Sequence, residues 1–258
     1  MLCVMFFLSI EPMLTLARSA TCILLKLTNM NMNIFILAYL IISCNADALS
    51  DANIAQAVAD WNTGGDARAT VVSTYGPIES WDTTQITSLY NVFLNKDNTG
   101  NPDLTAWDIS KVTSLENTFK GSSFNGDIST WDTGKVQSFR MTFSASEYTG
   151  HVGSGLANWD VSEGTDFGFM FSQTTQFNSD ISKWITTKMS TLVYAFWDSK
   201  KFNSDISKWD VLSITTATNA FEDAKSYSRT ICSKNWLSSV FFSVNRENSG
   251  LPTEAGGR

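Results

Sequence analysis

Histidine occurs once in the 258 residues, at His151. Catalytic triads with a histidine base, and metal centres built on several imidazoles, therefore have almost nothing to work with. Cysteine is nearly as scarce. Cys3, Cys22 and Cys44 all precede residue 48 and only Cys232 follows, which excludes an internal disulfide framework and a cysteine-rich zinc site. Cys232 reads as a small buried apolar residue near the last repeat, and His151, in a glycine-rich insertion, as a solvated loop residue. Clustered positive charge is also missing. The formal net charge is −7 and Lys200-Lys201 is the single adjacent basic pair, so nucleic acid and anionic membrane are poor partners. There is no P-loop, no dinucleotide fingerprint and, beyond residue 48, no N-x-[ST] sequon. No cofactor and no metal are expected.

Long hydrophobic runs are absent as well. The apolar stretch Ile34-Phe-Ile-Leu-Ala-Tyr-Leu-Ile-Ile42 has nine residues, too few for a bilayer, which needs about 20, but suited to a signal-peptide core. Lys26 lies upstream and Ala46-Asp-Ala48 has the form of a cleavage site. Residues 1–48 are thus expected to be a targeting segment, with the mature chain starting near Leu49. A second apolar run, Leu2 to Ile10, leaves Met30 and Met32 open as start codons. Ile41-Ile-Ser-Cys44 also fits a lipobox, so a lipid anchor at Cys44 is an alternative to simple secretion.

Residues 49–80 read as an N-terminal cap. Apolar residues at Ile54, Ala57, Val58 and Trp61 follow one helical face, with Ser50 or Asp51 placed to cap it and Thr63-Gly64-Gly65 to end it. Val71 to Tyr75 reads as a strand before the turn at Gly76-Pro77.

From residue 81 to 236 one pattern repeats. Tryptophan recurs at Trp81, Trp107, Trp131, Trp159, Trp184 and Trp209, with a decayed copy at Trp236; the intervals are 26, 24, 28, 25, 25 and 27 residues. Twelve residues after each of the first six stands Phe93, Phe119, Phe143, Phe171, Phe196 or Phe221. Such a period marks units that bury their apolar faces by stacking on one another. The segment I-x-x-W-D-[VIT] has the spacing of a leucine-rich-repeat strand, with tryptophan at the middle apolar position. Apolar residues five, eight and twelve after tryptophan, as in Val112, Leu115 and Phe119, have helical spacing, and Thr113-Ser-Leu-Glu116 has that of a capping box. Phe124-Asn-Gly-Asp, Phe177-Asn-Ser-Asp and Phe202-Asn-Ser-Asp read as return turns. The expected architecture is an α/β solenoid: a right-handed, leucine-rich-repeat-like coil of about six to seven strand–helix repeats of about 25 residues, with a helical cap. Its tryptophans and phenylalanines form core rows rather than a ligand box. Irregular copies carry the insertion Tyr148-Thr-Gly-His-Val-Gly-Ser-Gly, Gly164 at an apolar position and Ile185 in place of aspartate. Residues 237–258 read as a cap remnant and tail; Leu251-Pro-Thr-Glu-Ala fails as a cell-wall sorting signal because its fourth residue is glutamate and no hydrophobic tail follows.

Strand alternation would turn Asp82, Asp108, Asp132, Asp160 and Asp210, each directly after a tryptophan, away from the core. Three readings of that row stand. Each aspartate caps the following turn, with Lys111, Lys135 and Lys188 nearby; or the row is a binding face flanked by Thr130, Asn158, Lys183 and Lys208; or it holds calcium. No residue is assigned a catalytic role.

Trp107-Asp-Ile-Ser-Lys-Val-Thr-Ser-Leu115 and Phe124-Asn-Gly-Asp-Ile-Ser-Thr-Trp131 resemble the BspA-like leucine-rich repeat surface proteins, whose repeat is also known as DUF285, over roughly residues 53–236. The resemblance implies an exported, adhesive surface protein and brings no catalytic motif. The leading expectation is a secreted or cell-surface, non-catalytic, monomeric scaffold that binds a protein or a cell-surface ligand. The alternatives are a self-assembling surface coat and a glycan-active enzyme using a carboxylate pair.

Overall fold

The computed structural model of the protein describes residues 48–97, 101–150 and 155–229. The targeting segment up to residue 47, His151, Cys232, Trp236 and the tail lie outside the described residues.

Helix α1, Ile54–Thr63, buries Ile54, Ala57, Val58 and Trp61 on one face and stops at Gly64, whose φ of 79° suits glycine. No side chain caps its first turn. Neither Ser50 nor Asp51, the two residues expected to do so, fills that role, and Asp51 reaches the first repeat instead. Its Oδ1 accepts the amides of Thr87 at 2.8 Å and Ser88 at 3.1 Å, and its Oδ2 the Thr87 hydroxyl. The strand expected over Val71–Tyr75 is helix α2, Gly65–Tyr75. Thr70 and Thr74 donate their hydroxyls to the carbonyls four residues back, Asp66 and Thr70, so these polar groups are satisfied within the helix. Arg68 joins the two helices: its Nε donates to the Trp61 carbonyl at 2.6 Å and its guanidinium lies 4.5 Å from the Trp61 ring centre.

The α/β solenoid expected for the repeats is overturned. Among the described residues the α-helices are α1 and α2, both in the cap, and the only other helix is a 3-10 turn at Ile78–Ser80. There is no strand. Successive repeats meet in parallel through single bridges, Ser88 to Ser114, Ser138, Asp166, Thr191 and Thr216 in turn. The rest is turns. Residues ten and fourteen after each tryptophan adopt positive φ, from Asn91 and Asn95 at 60° and 51° to Asn219 and Asp223 at 54° and 58°. A four-residue turn with its third residue in that region is what a type II turn requires, and two follow one another in each repeat. In the third repeat the Thr142 amide donates back to Phe139 at 3.2 Å and the Ser146 amide to Phe143 at 3.1 Å, closing them.

This geometry frees alternate amides. Phe139, Met141, Phe143 and Ala145 donate to Asp166, Gly168, Met170 and Ser172 of the next repeat at 2.7–2.9 Å. An α-helix would have kept those donors to itself. Consecutive four-residue turns also send every fourth side chain inward, the spacing a helix shares, so the apolar pattern at Val112, Leu115 and Phe119 could not separate the two. Nor is I-x-x-W a strand: each tryptophan amide turns back three residues, as from Trp131 to Ile128 at 3.2 Å.

All twelve aromatic rings of the tryptophan and phenylalanine columns are buried. The phenylalanine column stacks without a break from Phe93 to Phe221, centres 5.1–5.7 Å apart. Each tryptophan also ties two repeats together. The indole N–H of Trp107, Trp131, Trp159, Trp184 and Trp209 donates at 2.9–3.0 Å to the carbonyl of Ile78, Leu104, Ile128, Leu156 or Ile181, the first apolar residue of the preceding repeat. Leucine has no donor there, which is a reason for tryptophan at this position. A third aromatic row is formed by Phe124, Tyr148, Phe177, Phe202 and Tyr227; each packs on the phenylalanine of its own repeat, Tyr148 on Phe143 at 4.4 Å and Phe177 on Phe171 at 3.9 Å. Tyr148 thereby gives the irregular unit the ring that its insertion seemed to remove. Gly164 is compensated too: a Cβ there would stand 2.6 Å from the Phe167 ring and 2.8 Å from that of Phe139, so two larger rings occupy the space an apolar side chain fills elsewhere.

Candidate functional site

The turns that interlock inside present regular columns outside. Asp82, Asp108, Asp132 and Asp160 are exposed and Asp210 partly so, and Thr130, Asn158, Lys183 and Lys208 are exposed as well. Every aspartate of the row caps the turn that follows it. Oδ1 of Asp82, Asp108, Asp132, Asp160 and Asp210 accepts the amide two residues on, from Thr84, Ser110, Gly134, Ser162 and Leu212, at 2.9–3.2 Å. Bonds from the Thr84 hydroxyl and amide hold the Asp82 carboxyl below its usual range, and those from Ser110 and Ser162 do the same for Asp108 and Asp160. The like charge of Asp108 acts on Asp82 in the opposite sense, and Lys111 partly offsets it. The row is broken at Ile185, which leaves 60 % of its surface exposed. Lys188 of this region pairs with Glu163 at 2.6 Å. Of the four flanking residues, Thr130 spends its hydroxyl on the Thr105 carbonyl at 3.1 Å.

Sequence reasoning missed a second acidic column. Asp103, Asp127, Asp180 and Asp205 stand four residues before their tryptophans and accept the amides of Thr105, Ser129, Ser182 and Ser207 at 2.9–3.0 Å. Bonds from Ser182 to Asp180, and from Ser207 to Asp205, lower those two carboxyls. The signal is the constant offset of that aspartate, four residues before its tryptophan, within segments that read as return turns. Beside it runs an asparagine ladder between repeats. Asn101 Oδ1 accepts the Asn125 amide at 2.7 Å, Asn125 Oδ1 the Thr149 amide at 3.0 Å, and Asn178 Oδ1 the Asn203 amide at 2.7 Å.

Between the return turns of two late repeats these columns border a concavity of about 380 Å3, lined by Asn178, Asp180, Asn203, Asp205, Lys208 and Arg229 among others. Lys208 is the one member of the sequence-derived face that lines it; Asp82, Asp108, Asp132, Asp160, Asp210, Thr130, Asn158 and Lys183 do not. Among the described residues no group of three or more His, Cys, Asp or Glu is arranged to hold a metal ion. Nor is any described helix long and apolar enough to cross a membrane.

Interlocked turns with buried aromatic columns and outward polar columns define a repeat protein whose units are stable only in a stack. The particular family follows from the same periodic residues. The model of the family described as "Mycoplasma protein of unknown function, DUF285" matches residues 66–155 and 147–236, and the chain belongs to that family. The two matches overlap where the unit containing Tyr148 carries its insertion. No curated protein and no solved structure matches the chain.

Proposed function

We propose that the protein is an exported, non-catalytic scaffold at the cell surface that binds a protein or another cell-surface ligand through its outward columns. What supports the reading is the division of labour in each repeat. Trp, Phe, Thr and Asn side chains and alternate amides are spent on the neighbouring repeat, while the aspartates that follow tryptophan, with Lys183 and Lys208, stand outside, as in stacked-repeat proteins that present extended binding surfaces. The apolar run at residues 34–42 and the Ala46-Asp-Ala48 pattern support export. Closer kinship with the BspA-like surface proteins belongs to the same proposal and rests on Trp107-Asp-Ile-Ser-Lys-Val-Thr-Ser-Leu115 and Phe124-Asn-Gly-Asp-Ile-Ser-Thr-Trp131.

The test is direct. The protein produced in a secreting host should appear outside the cell with an N-terminus near Leu49, and the labelled mature chain should bind intact cells saturably. Retention in the cytosol with Met1 intact, or binding to cells that does not saturate, would overturn the proposal.

A further inference from the structure

The concavity between the return turns has a definite donor and acceptor set. Each asparagine and aspartate uses one oxygen for the fold. Asn178 Oδ1 accepts the Asn203 amide at 2.7 Å and Asn203 Oδ1 the Ser228 amide at 3.2 Å. Asp180 Oδ1 and Asp205 Oδ1 accept the Ser182 and Ser207 amides at 2.9 Å, and the hydroxyls of the same two serines also bond to these carboxylates. What remains for a ligand is the NH2 of each asparagine, the second oxygen of each aspartate, the Lys208 ammonium and the rest of the Arg229 guanidinium, whose Nε donates to the Asn203 carbonyl at 3.0 Å. The set repeats once, from Asn178 and Asp180 to Asn203 and Asp205, at the same interval of 25 residues as Trp184 and Trp209.

The chemistry of a fitting ligand follows. Two carboxylates face two cations, so the concavity offers no net attraction to an ion. Its lining is polar side chains only, so an apolar ligand would leave those groups unsatisfied. A pair of neighbouring hydroxyls suits it: each hydroxyl donates to a carboxylate oxygen and accepts from an amide or a cation, in charge-assisted bonds stronger than neutral ones. The volume falls within the range of small-ligand sites, about 300–1,000 Å3. The aromatic columns are buried inside the stack, so hydrogen bonds rather than ring stacking would hold the ligand.

We propose that this concavity is a saccharide subsite that takes a neutral, polyhydroxylated sugar chain, a proposal that rests on the surface-binding reading above and names its ligand class. Bonds from the Ser182 hydroxyl and amide lower the Asp180 carboxyl, and bonds from the Ser207 amide and hydroxyl lower that of Asp205, so both are acceptors at neutral pH.

The probes are neutral hexasaccharides of α- and β-linked glucose and of mannose, with an oligogalacturonate as the acidic comparison, titrated calorimetrically into the mature protein. At least one neutral chain should bind, and the acidic one more weakly. Asp180→Asn with Asp205→Asn keeps the capping Oδ1 and turns the ligand-facing oxygen into a donor. It should weaken binding about tenfold or more with the melting temperature nearly unchanged. Lys208→Met should weaken binding without touching the caps. Asp108→Asn with Asp132→Asn, the same change in the other column, should leave sugar binding intact. The proposal is overturned if no neutral hexasaccharide binds, if the acidic chain binds better, or if the two double variants behave alike. Saturable cell binding that survives Asp180→Asn with Asp205→Asn would overturn this subsite while leaving the scaffold reading in place.

Discussion

The helical cap and the repeats solve the same problem in opposite ways. In α1 and α2 the backbone donors are satisfied inside each helix, and one face packs on the stack through Ile54, Val58 and Val71. In the repeats alternate donors leave the segment altogether, as from Phe139 to Asp166 and Phe143 to Met170. A helix can be capped and stand next to anything apolar. A repeat of turns is satisfied only by another repeat. The first repeat has no predecessor, and Asp51 supplies what is missing. Where the amides of Thr113, Gln137, Thr165, Ser190 and Thr215 find a carbonyl of the preceding repeat, that of Thr87 finds the Asp51 carboxylate at 2.8 Å. The aspartate expected to start a helix therefore ends a stack.

That contrast can be broken at graded points. The largest effect is expected inside the stack. Phe143 is fully buried between Phe119 and Phe171 and also packs on Tyr148, so Phe143→Ala should lower stability by about 3–5 kcal/mol. Hydrogen exchange should show lost protection in both neighbouring repeats while α1 stays protected. Loss confined to one repeat would contradict the interlocked arrangement.

Next comes the junction. Asp51→Ala leaves two amides and a hydroxyl without their acceptor, and should cost about 1–3 kcal/mol. Protection should fall first at Thr87 and Ser88. Urea unfolding of wild type and variant gives the size, and an unchanged midpoint would remove the plug role.

Acid should act on the outer columns more than on the cap. The carboxyls of Asp82, Asp108, Asp160, Asp180 and Asp205 are lowered by their capping bonds. At Asp51 burial pushes the carboxyl up, but bonds from the Thr87 hydroxyl and the Thr87 and Ser88 amides outweigh it and the net direction is down. A folded value below the unfolded one, about 3.9, means that each group stabilises the protein above that pH and loses its contribution as pH falls through the folded value. Stability should be flat from pH 7 to about 5 and decline below about 4, which thermal melts across that range can follow. Asp108→Asn should blunt the decline, since an amide oxygen caps the turn without titrating.

The smallest effect isolates one bond. Trp131→Phe keeps a ring in the column but removes the N–H that donates to Leu104 at 3.0 Å. A loss of about 0.5–1.5 kcal/mol is expected beyond what the smaller ring gives up in packing. Trp131→Leu, which removes both, should be worse by the packing term.

The sequence alone determined the period, the burial of the tryptophan and phenylalanine columns and the outward row of aspartates, because each needs only a residue type recurring at a constant offset. Capping by those aspartates was one of three roles their spacing allowed, beside a binding face and a calcium row, and the bonds from the amides two residues on belong to the folded chain. The tertiary structure decided the rest. Val112, Leu115 and Phe119 carry a spacing that a helix and a chain of four-residue turns share, and what separates them is where the amides between go, a matter settled in the next repeat. Asparagine at positions 91, 95 and 117 and glycine at 121 adopt left-handed backbone readily, but Met141, Phe169 and Tyr194 hold the same conformation because the bonds of neighbouring repeats impose it. Val71 to Tyr75 has strand-forming residues and became helix for a similar reason: α1 offered a face to pack against, and among the described residues no strand lies beside it. Local chemistry set the columns; which hydrogen bonds stay within a segment and which cross to its neighbour exists only once the neighbours are in place.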